Sequence, residues 1–333
     1  MAGLRYVDDF AKGYTRERRG QGWRYLRLDG RPVTSDKLKA RLDAIALPPA
    51  YQNAWYCSDP AGHIQATGID DRGRVQYRYH ADFRARQDAE KYGRCAAFGK
   101  ALPAIRREIK RDLARRDMSR ERIVAAVVHL LDQGKIRVGN RAYAVANKSF
   151  GATTLRNRHA EVRGERVTLS FIGKSGKAQR VAIYDRRLAA VVKRCQALPG
   201  QELFQYLDDE GTRRVITSND VNAFLRAHSD GFTAKDFRTW GASVIAYTSL
   251  IRAKGQLTLK AMLADVAEQL GNTPAIARKS YVHPALIEAA QQHDVAILPG
   301  RLPRARKNLS GVEVALLDFL ARYQSEEQDN VAA

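Results

Sequence analysis

The 333-residue chain, 44% apolar, is long enough for two domains with a sizeable core. Its formal charge of +21 is concentrated in residues 91–200, which hold 26 Lys and Arg against 8 Asp and Glu, so a polyanion is expected to face the middle third. No apolar run is long enough to span a bilayer, the first residues lack a signal peptide's apolar core, and Cys57, Cys95 and Cys195 are too far apart for a metal site, which leaves a soluble cytosolic protein without zinc as the expectation.

Residues 1–86 read as a small, mainly β domain. Gly22–Leu28 alternates as a strand, Asp29-Gly30 gives a turn, and Ser35 caps a helix carrying Leu38, Leu42 and Ile45 that Pro48-Pro49 ends. Strands follow near residues 54–57 and 63–67. The run Arg72-Gly73-Arg74-Val75-Gln76-Tyr77-Arg78-Tyr79-His80 then predicts a strand with Val75, Tyr77 and Tyr79 on one face and Arg74, Gln76, Arg78 and His80 on the other. Cations, an amide and aromatics packed this densely suit a nucleic-acid groove, and equally an edge strand with a solvated basic face.

Residues 87–324 read as a larger, mainly α domain with a small antiparallel sheet. Residues 101–116 are amphipathic and basic, Ser119 caps a core helix over 120–133, and Gly134 stops it. Strands are predicted near 159–163, 166–172 and 178–184, the last two joined by Gly173-Lys174-Ser175-Gly176-Lys177. That Gly-Lys-Ser is no phosphate-binding loop: position 168 is Thr where a glycine is needed, and strands flank the turn on both sides, so no nucleotide is expected. Further helices are predicted over 185–198, 218–228, 233 to about 252 and 310–323, with 200–211 as a loop and 325–333 as a disordered tail. Lys235 and Arg238, three apart, share one helix face.

The most constrained stretch is Leu270–Pro284. Gly271 sits where a helix closes in a left-handed turn, and Thr273-Pro274 starts the next one as N-cap and N1. Tyr281 is therefore expected about two turns into a short helix, with Arg278 behind it on the same face and Asn272 in the preceding bend. A half-buried packing tyrosine and a helix-turn-helix DNA reader fit the same stretch. Set beside Arg137, Lys174 and Arg238, the stretch instead fits phosphoryl transfer to a phenol, which needs a nucleophile, cations on the non-bridging oxygens and a general acid for the leaving group.

With those residues in view the chain resembles the type IB DNA topoisomerases, in particular the small poxvirus-like enzymes that also occur in bacteria. The motifs are Gly73–Tyr79, Ile136-Arg137-Val138-Gly139, Phe171-Ile172-Gly173-Lys174, Lys235–Gly241 and the Leu270–Pro284 stretch, in that order. The resemblance implies an α+β fold that clamps double-stranded DNA. It also implies an ATP- and metal-independent enzyme that needs no cofactor, nicks one strand through a 3′-phosphotyrosyl bond, lets positive and negative supercoils relax, and reseals. Carried across, Tyr281 is the nucleophile, Arg137 and Arg238 stabilise the phosphorane, and Lys174, helped by Arg137, protonates the 5′ oxygen. Arg72, Arg74, Gln76, Tyr77, Tyr79, Tyr143 and Lys235 are DNA contacts. Asn272 stands where the viral enzymes have histidine, so it is expected to donate a hydrogen bond and not to act as acid or base. The resemblance further implies a monomer on the bacterial nucleoid. Tyrosine recombinases are the nearest rival; they generally carry histidine where this chain has Lys235. A non-catalytic regulator reading DNA through residues 266–280 is the rival from another class.

Overall fold

The computed structural model describes residues 3–7, 10, 12–229 and 231–332. The chain divides into two compact units, Met1–Lys91 and Tyr92–Ala333. The boundary expected at 86/87 falls inside the long helix Ala81–Leu113, which the change from alternating to helical pattern at Asp82 anticipates.

The first unit is a five-stranded antiparallel sheet, β1 (Gly13–Arg19), β2 (Gly22–Arg27), β3 (Gln52–Cys57), β4 (Ile64–Ile69) and β5 (Val75–Tyr79), ordered β2-β1-β3-β4-β5. Helix α1 (Asp36–Ala44) starts where Ser35 accepts a hydrogen bond from the Leu38 N–H, and its Leu42 enters a core of Tyr25, Val33, Leu47, Tyr56 and Ala66. Burying such a leucine contributes about 1.5–3 kcal/mol. Strand β1 is absent from the sequence reading because its central residue is an arginine. Arg16 takes the place of a core side chain by donating to the Leu47 and Pro48 carbonyl oxygens and the Tyr56 hydroxyl, with its guanidinium stacked over Trp23.

In the second unit the core helix α3 (Arg120–Gly134) follows α2 (Ala81–Leu113). The short α4 (Arg141–Asn147) leads to the sheet β6 (Ala160–Arg163), β7 (Arg166–Ile172), β8 (Ala178–Tyr184), ordered β6-β7-β8 and antiparallel. Helix α5 (Arg186–Gln196) begins at Asp185, whose carboxylate caps the Leu188 N–H. The expected loop over 200–211 contributes one strand of a small ribbon, β9 (Gln205–Leu207) with β10 (Arg213–Val215). Helices α6 (Ser218–His228), α7 (Ala234–Arg252), α8 (Leu259–Leu270), α9 (Pro274–Ser280), α10 (Pro284–Gln292) and α11 (Gly311–Ala332) complete the unit. Buried Ile123, Val127 and Leu131 of α3 share one core with Phe237, Trp240 and Tyr247 of α7 and Phe319 of α11.

Helix α11 runs through residue 332, where the sequence reading has a disordered tail from Ser325; residue 333 lies outside the described residues. The segment from Ser325 to Asn330 contains neither Gly nor Pro, and its Glu and Gln residues are good helix formers, so nothing local stops the helix. Cys57, Cys95 and Cys195 are all buried. Among the described residues no helix is long and apolar enough to cross a membrane.

Candidate active site

Three separate pieces of backbone bring the key side chains together. The first is the segment after α3. Gly134 is the last helical residue and Lys135 takes the left-handed conformation (φ 52°), which breaks the helix one residue later than expected and turns the Lys135 carbonyl toward α7. A Cβ on Gly134 would lie 3.2 Å from Val181, so close packing against β8 accounts for that glycine. The stretch carrying Arg137 is then fixed by two backbone hydrogen bonds, Ala152 N–H to the Arg137 oxygen (2.8 Å) and Thr153 N–H to the Val138 oxygen (2.7 Å). A side chain at Gly151 would sit 2.5 Å from the Arg137 oxygen, so the approach of the two strands of chain requires glycine there.

The second piece is α7. Thr233 and Asp236 form a reciprocal cap, with the Thr233 N–H donating to the Asp236 carboxylate at 2.8 Å, and this fixes where the helix starts. One turn later Arg238 is buried at 3% exposure. Its guanidinium donates to the Lys135 carbonyl oxygen and to the Leu270 carbonyl oxygen (3.1 Å), so it ties the end of α3 to the end of α8. Among the described residues its Nε has no hydrogen-bond partner.

The third piece is the α8–α9 turn, built as its sequence dictates. Gly271 closes α8 at φ 60°, the Asn272 N–H reaches back to the Ala267 oxygen (2.8 Å), and Thr273 caps α9 by accepting from the Ile276 N–H. Asn272 is buried, accepts a hydrogen bond from Arg137 Nη2 at 2.9 Å through Oδ1, and leaves Nδ2 unpartnered. Tyr281 does not extend α9; it caps it, with φ −134° and ψ −46° and its N–H on the Ala277 oxygen. That ending removes the expected alignment with Arg278, which is exposed. The cation at the phenol is Arg238 instead, its guanidinium carbon 4.8 Å from the centre of the Tyr281 ring.

The electrostatics follow from this packing. Burial acts to raise the Tyr281 hydroxyl's pKa, but the charges of Arg238 and Arg137 and hydrogen bonding to both outweigh it, so the hydroxyl is held below its ordinary value. Burial pushes Arg238 the other way, below the usual arginine range, with Tyr281 opposing and Arg137 reinforcing the shift. A half-buried phenol between two arginines, with unpaired donors on Asn272 and Arg238, is a site for an oxyanion.

The hairpin of β7 and β8 places Lys174 at its tip, exposed, and among the described residues no hydrogen bond joins it to the other four residues. Strands β7 and β8 flank the Gly173–Lys177 turn, as the alternation on each side of it predicts. Two hairpin residues missed by sequence reasoning do reach the site: Lys177 donates to the Asn272 carbonyl oxygen at 2.5 Å, and Gln179 packs so closely on Gly271 that any side chain there would collide with it.

The predicted DNA contacts lie in two places. Lys235 is exposed on the first turn of α7, and Tyr143 is partly exposed on α4, where Asn140 caps its N–H. In the first unit Tyr77 and Tyr79 are exposed on β5 with stacked rings 5.9 Å apart. Asp70, unremarked in the sequence, organises the rest. Its carboxylate accepts from the backbone N–H groups of Arg72 and Arg74 (3.0 Å each), from Arg74 Nε (2.9 Å) and from Gln76 Nε2 (2.9 Å). Hydrogen bonding to Arg74 leads the causes that hold Asp70 at about 2. An Asp ahead of Arg-Gly is the signal that could have marked it, since such a residue commonly closes a turn on its own backbone.

Comparison with known proteins identifies the family. The family described as eukaryotic DNA topoisomerase I, catalytic core, matches residues 80–298, and the bacterial DNA topoisomerase IB N-terminal domain matches residues 22–70. The DNA topoisomerase 1B of Acanthamoeba polyphaga mimivirus is 31% identical over 85% of this chain and 88% of its own length. The DNA topoisomerase I of Monkeypox virus is 22% identical over 72% of this chain and 75% of its own, and the DNA topoisomerase 1 of Mycosarcoma maydis is 25% identical over 51% of this chain and 19% of its own. On these matches, the chain belongs to the type IB DNA topoisomerases.

Proposed function

We propose that the protein relaxes supercoiled duplex DNA by transient cleavage of one strand at Tyr281, without ATP or a metal ion. The observation that carries this reading is the convergence of Arg238 and Arg137 on one tyrosine whose hydroxyl they hold below its ordinary value, with Asn272 accepting a hydrogen bond from Arg137. In the step we infer, the Tyr281 oxygen bonds to phosphorus as its proton leaves to solvent. The bond from phosphorus to the 5′ oxygen breaks, its electron pair stays on that oxygen, and the Lys174 ammonium protonates it. Arg137, Arg238 and the free Asn272 amide donate to the non-bridging oxygens as charge builds on them. Resealing reverses the step, and the phosphotyrosyl bond conserves the energy that ATP would otherwise supply.

Lys174 acts from an exposed turn, which suits a group that meets its partner only when DNA is present. In the first unit Arg72, Arg74, Gln76, Tyr77 and Tyr79 contact the duplex, and Tyr143 and Lys235 do so from the second, each unit contributing part of a clamp. The same reading gives a monomer working on the cytoplasmic nucleoid; light scattering showing a stable dimer would count against it. Much of the affinity is release of counterions from phosphates, so binding should weaken steeply with salt.

The test is relaxation of positively and negatively supercoiled plasmid in EDTA without ATP, with Tyr281→Phe alongside. Wild type is expected to relax both and the variant neither, while the variant still binds DNA. An inert wild type that binds DNA would sink the reading.

A further inference from the structure

The lysine at the hairpin tip raises a question that the four-residue cluster leaves open: what brings an exposed side chain to the same phosphate as a half-buried tyrosine. Lys174 lies between Ile172, the last residue of β7, and Ala178, the first of β8, and Ser175 (φ 64°) and Gly176 (φ 74°) bend the turn sharply. The turn is closed at its base, where the Gly173 N–H donates to the Lys177 carbonyl oxygen at 2.8 Å. Positions 173 and 177 are therefore mechanically one unit, and whatever fixes Lys177 fixes the base from which Lys174 projects.

The Lys177 side chain is fixed. Its ammonium group donates to the carbonyl oxygen of Asn272 at 2.5 Å, which is a charge-assisted hydrogen bond. Asn272 is the residue whose side chain holds Arg137 and whose following residue caps the helix ending at Tyr281. A second contact backs the first. Gln179, two residues beyond Lys177, packs against Gly271, and an added Cβ at Gly271 would come within 1.9 Å of its amide. The hairpin is thus laid against the two-residue turn that carries one phosphate donor and leads to the nucleophile.

Resting on the reading of Lys174 as general acid, we propose that Lys177 is a positioning residue for that acid: it docks the hairpin on the Asn272 carbonyl so that Lys174 arrives in register with the phosphate held beside Tyr281. The two lysines of the tip divide the work. Lys177 spends its ammonium on a backbone oxygen, and Lys174 keeps its own free for the leaving group. A docked hairpin also limits the conformations that must be searched when DNA arrives, and a displacement of the acid of about 1 Å is enough to cost on the order of 10²-fold in rate.

The experiment uses the full chain and two suicide duplexes that differ in one atom: the ordinary 5′ oxygen at the scissile phosphate, or sulfur in its place. A thiolate leaves without being protonated, so a defect confined to the acid disappears on the sulfur substrate. Lys177→Met, which keeps the stem and removes the donors, is expected to cleave the oxygen substrate about 10²-fold more slowly and to regain near wild-type rates on the sulfur substrate. That recovery also shows that the variant is folded. Lys177→Arg, which restores a donor, should fall between Lys177→Met and wild type on the oxygen substrate.

Lys174→Met is the control, expected to lose about 10²–10⁴-fold on oxygen and to recover on sulfur. If Lys174→Met recovers while Lys177→Met is equally slow on both substrates, or is unimpaired on oxygen, the positioning role is wrong and the acid assignment stands. If Lys174→Met fails to recover, the acid assignment itself is wrong and the inference falls with it.

Discussion

Two arginines of the catalytic unit, Arg106 partly buried and Arg238 buried, are held in opposite ways, and the contrast separates what folds the protein from what it uses. Arg106, on α2, is surrounded by acid. Its guanidinium bonds both oxygens of Asp132 at 2.8 Å and both oxygens of Glu313 at 2.8 and 3.0 Å, and the Trp240 indole N–H donates to the same Glu313 at 3.1 Å. Arg238, two residues before that tryptophan on α7, is surrounded by carbonyl oxygens. Among the described residues it has no carboxylate partner; Lys135 and Leu270 orient it without neutralising it. Burial works to raise Glu313, but hydrogen bonding to Arg106 and its charge outweigh it and hold the carboxyl at about 2. Nothing comparable offsets the burial of Arg238. A cation kept buried, oriented and uncompensated is costly to the fold, and it is matched to an anion that arrives from outside.

The comparison breaks first at Arg106. Arg106→Met leaves Asp132 and Glu313 buried without their partner, and the expected loss is about 3–5 kcal/mol in urea unfolding. Cleavage per folded molecule should stay near wild type. A variant of ordinary stability would show that the network does not hold α2, α3, α7 and α11 together. The acid side can be read separately. Glu313 is depressed in the fold from an ordinary 4.5 to about 2, so its contribution is complete above about pH 4.5 and lost as pH falls toward 2. The stability gap between wild type and Glu313→Gln should close over that window.

Arg238→Ala should give the reverse signature. The expected effect is a fall of about 10²–10³-fold in cleavage, the scale for one donor to a developing oxyanion. The stability loss should be much smaller than for Arg106→Met, because the charge that is removed was uncompensated. If Arg238→Ala unfolds as readily as Arg106→Met, the two arginines do the same job and the contrast fails.

How far this division was readable beforehand depends on how local each signal is. The turn before Tyr281 follows from Gly271, Thr273 and Pro274, each acting on its own backbone, and the start of α7 follows from Thr233 and Asp236. Both the sheet of β6, β7 and β8 and the helices around it were legible for the same reason. Arg278 was placed beside Tyr281 by a helical spacing that ends one residue too early, at Ser280. Strand β1 hid because Arg16 fills a core position with hydrogen bonds instead of methyl groups. Lys177, Asp70 and the carbonyl oxygens that orient Arg238 could not be weighed at all, since their roles lie in contacts between segments distant in the sequence.

A pH profile sharpens the same contrast. Because Arg238 and Arg137 outweigh burial at the Tyr281 hydroxyl, the rising limb of cleavage rate with pH should have its midpoint below tyrosine's ordinary 10. In Arg137→Ala one of the two opposing charges is gone while the burial remains, so the limb should move to higher pH. Single-turnover cleavage across pH 6–11 would measure both. A limb that stays in place in Arg137→Ala would mean that Arg137 acts on the phosphate alone.

The smallest effect is expected at Asp70, where the first unit uses the strategy of Arg106 for the purpose of Arg238. Its carboxylate bonds Arg74 and Gln76 side chains and the Arg72 and Arg74 backbone, so it both neutralises and aims groups proposed to touch DNA. The two effects oppose each other in Asp70→Asn. Losing a negative charge beside the phosphates should tighten binding, and losing the orientation of Arg74 and Gln76 should weaken it. The Asp70 carboxylate is buried and already paired with Arg74, and the field that remains is screened beyond about 8–10 Å at ordinary ionic strength, whereas each hydrogen bond that positions a contact is worth about 1 kcal/mol. Orientation should therefore win, and duplex affinity measured by fluorescence anisotropy should fall roughly threefold to tenfold. Raising the salt concentration should widen that deficit, because screening removes the electrostatic gain and leaves the geometric loss. Tighter binding at every salt concentration would show that Asp70 restrains the strand's charge and does not aim it.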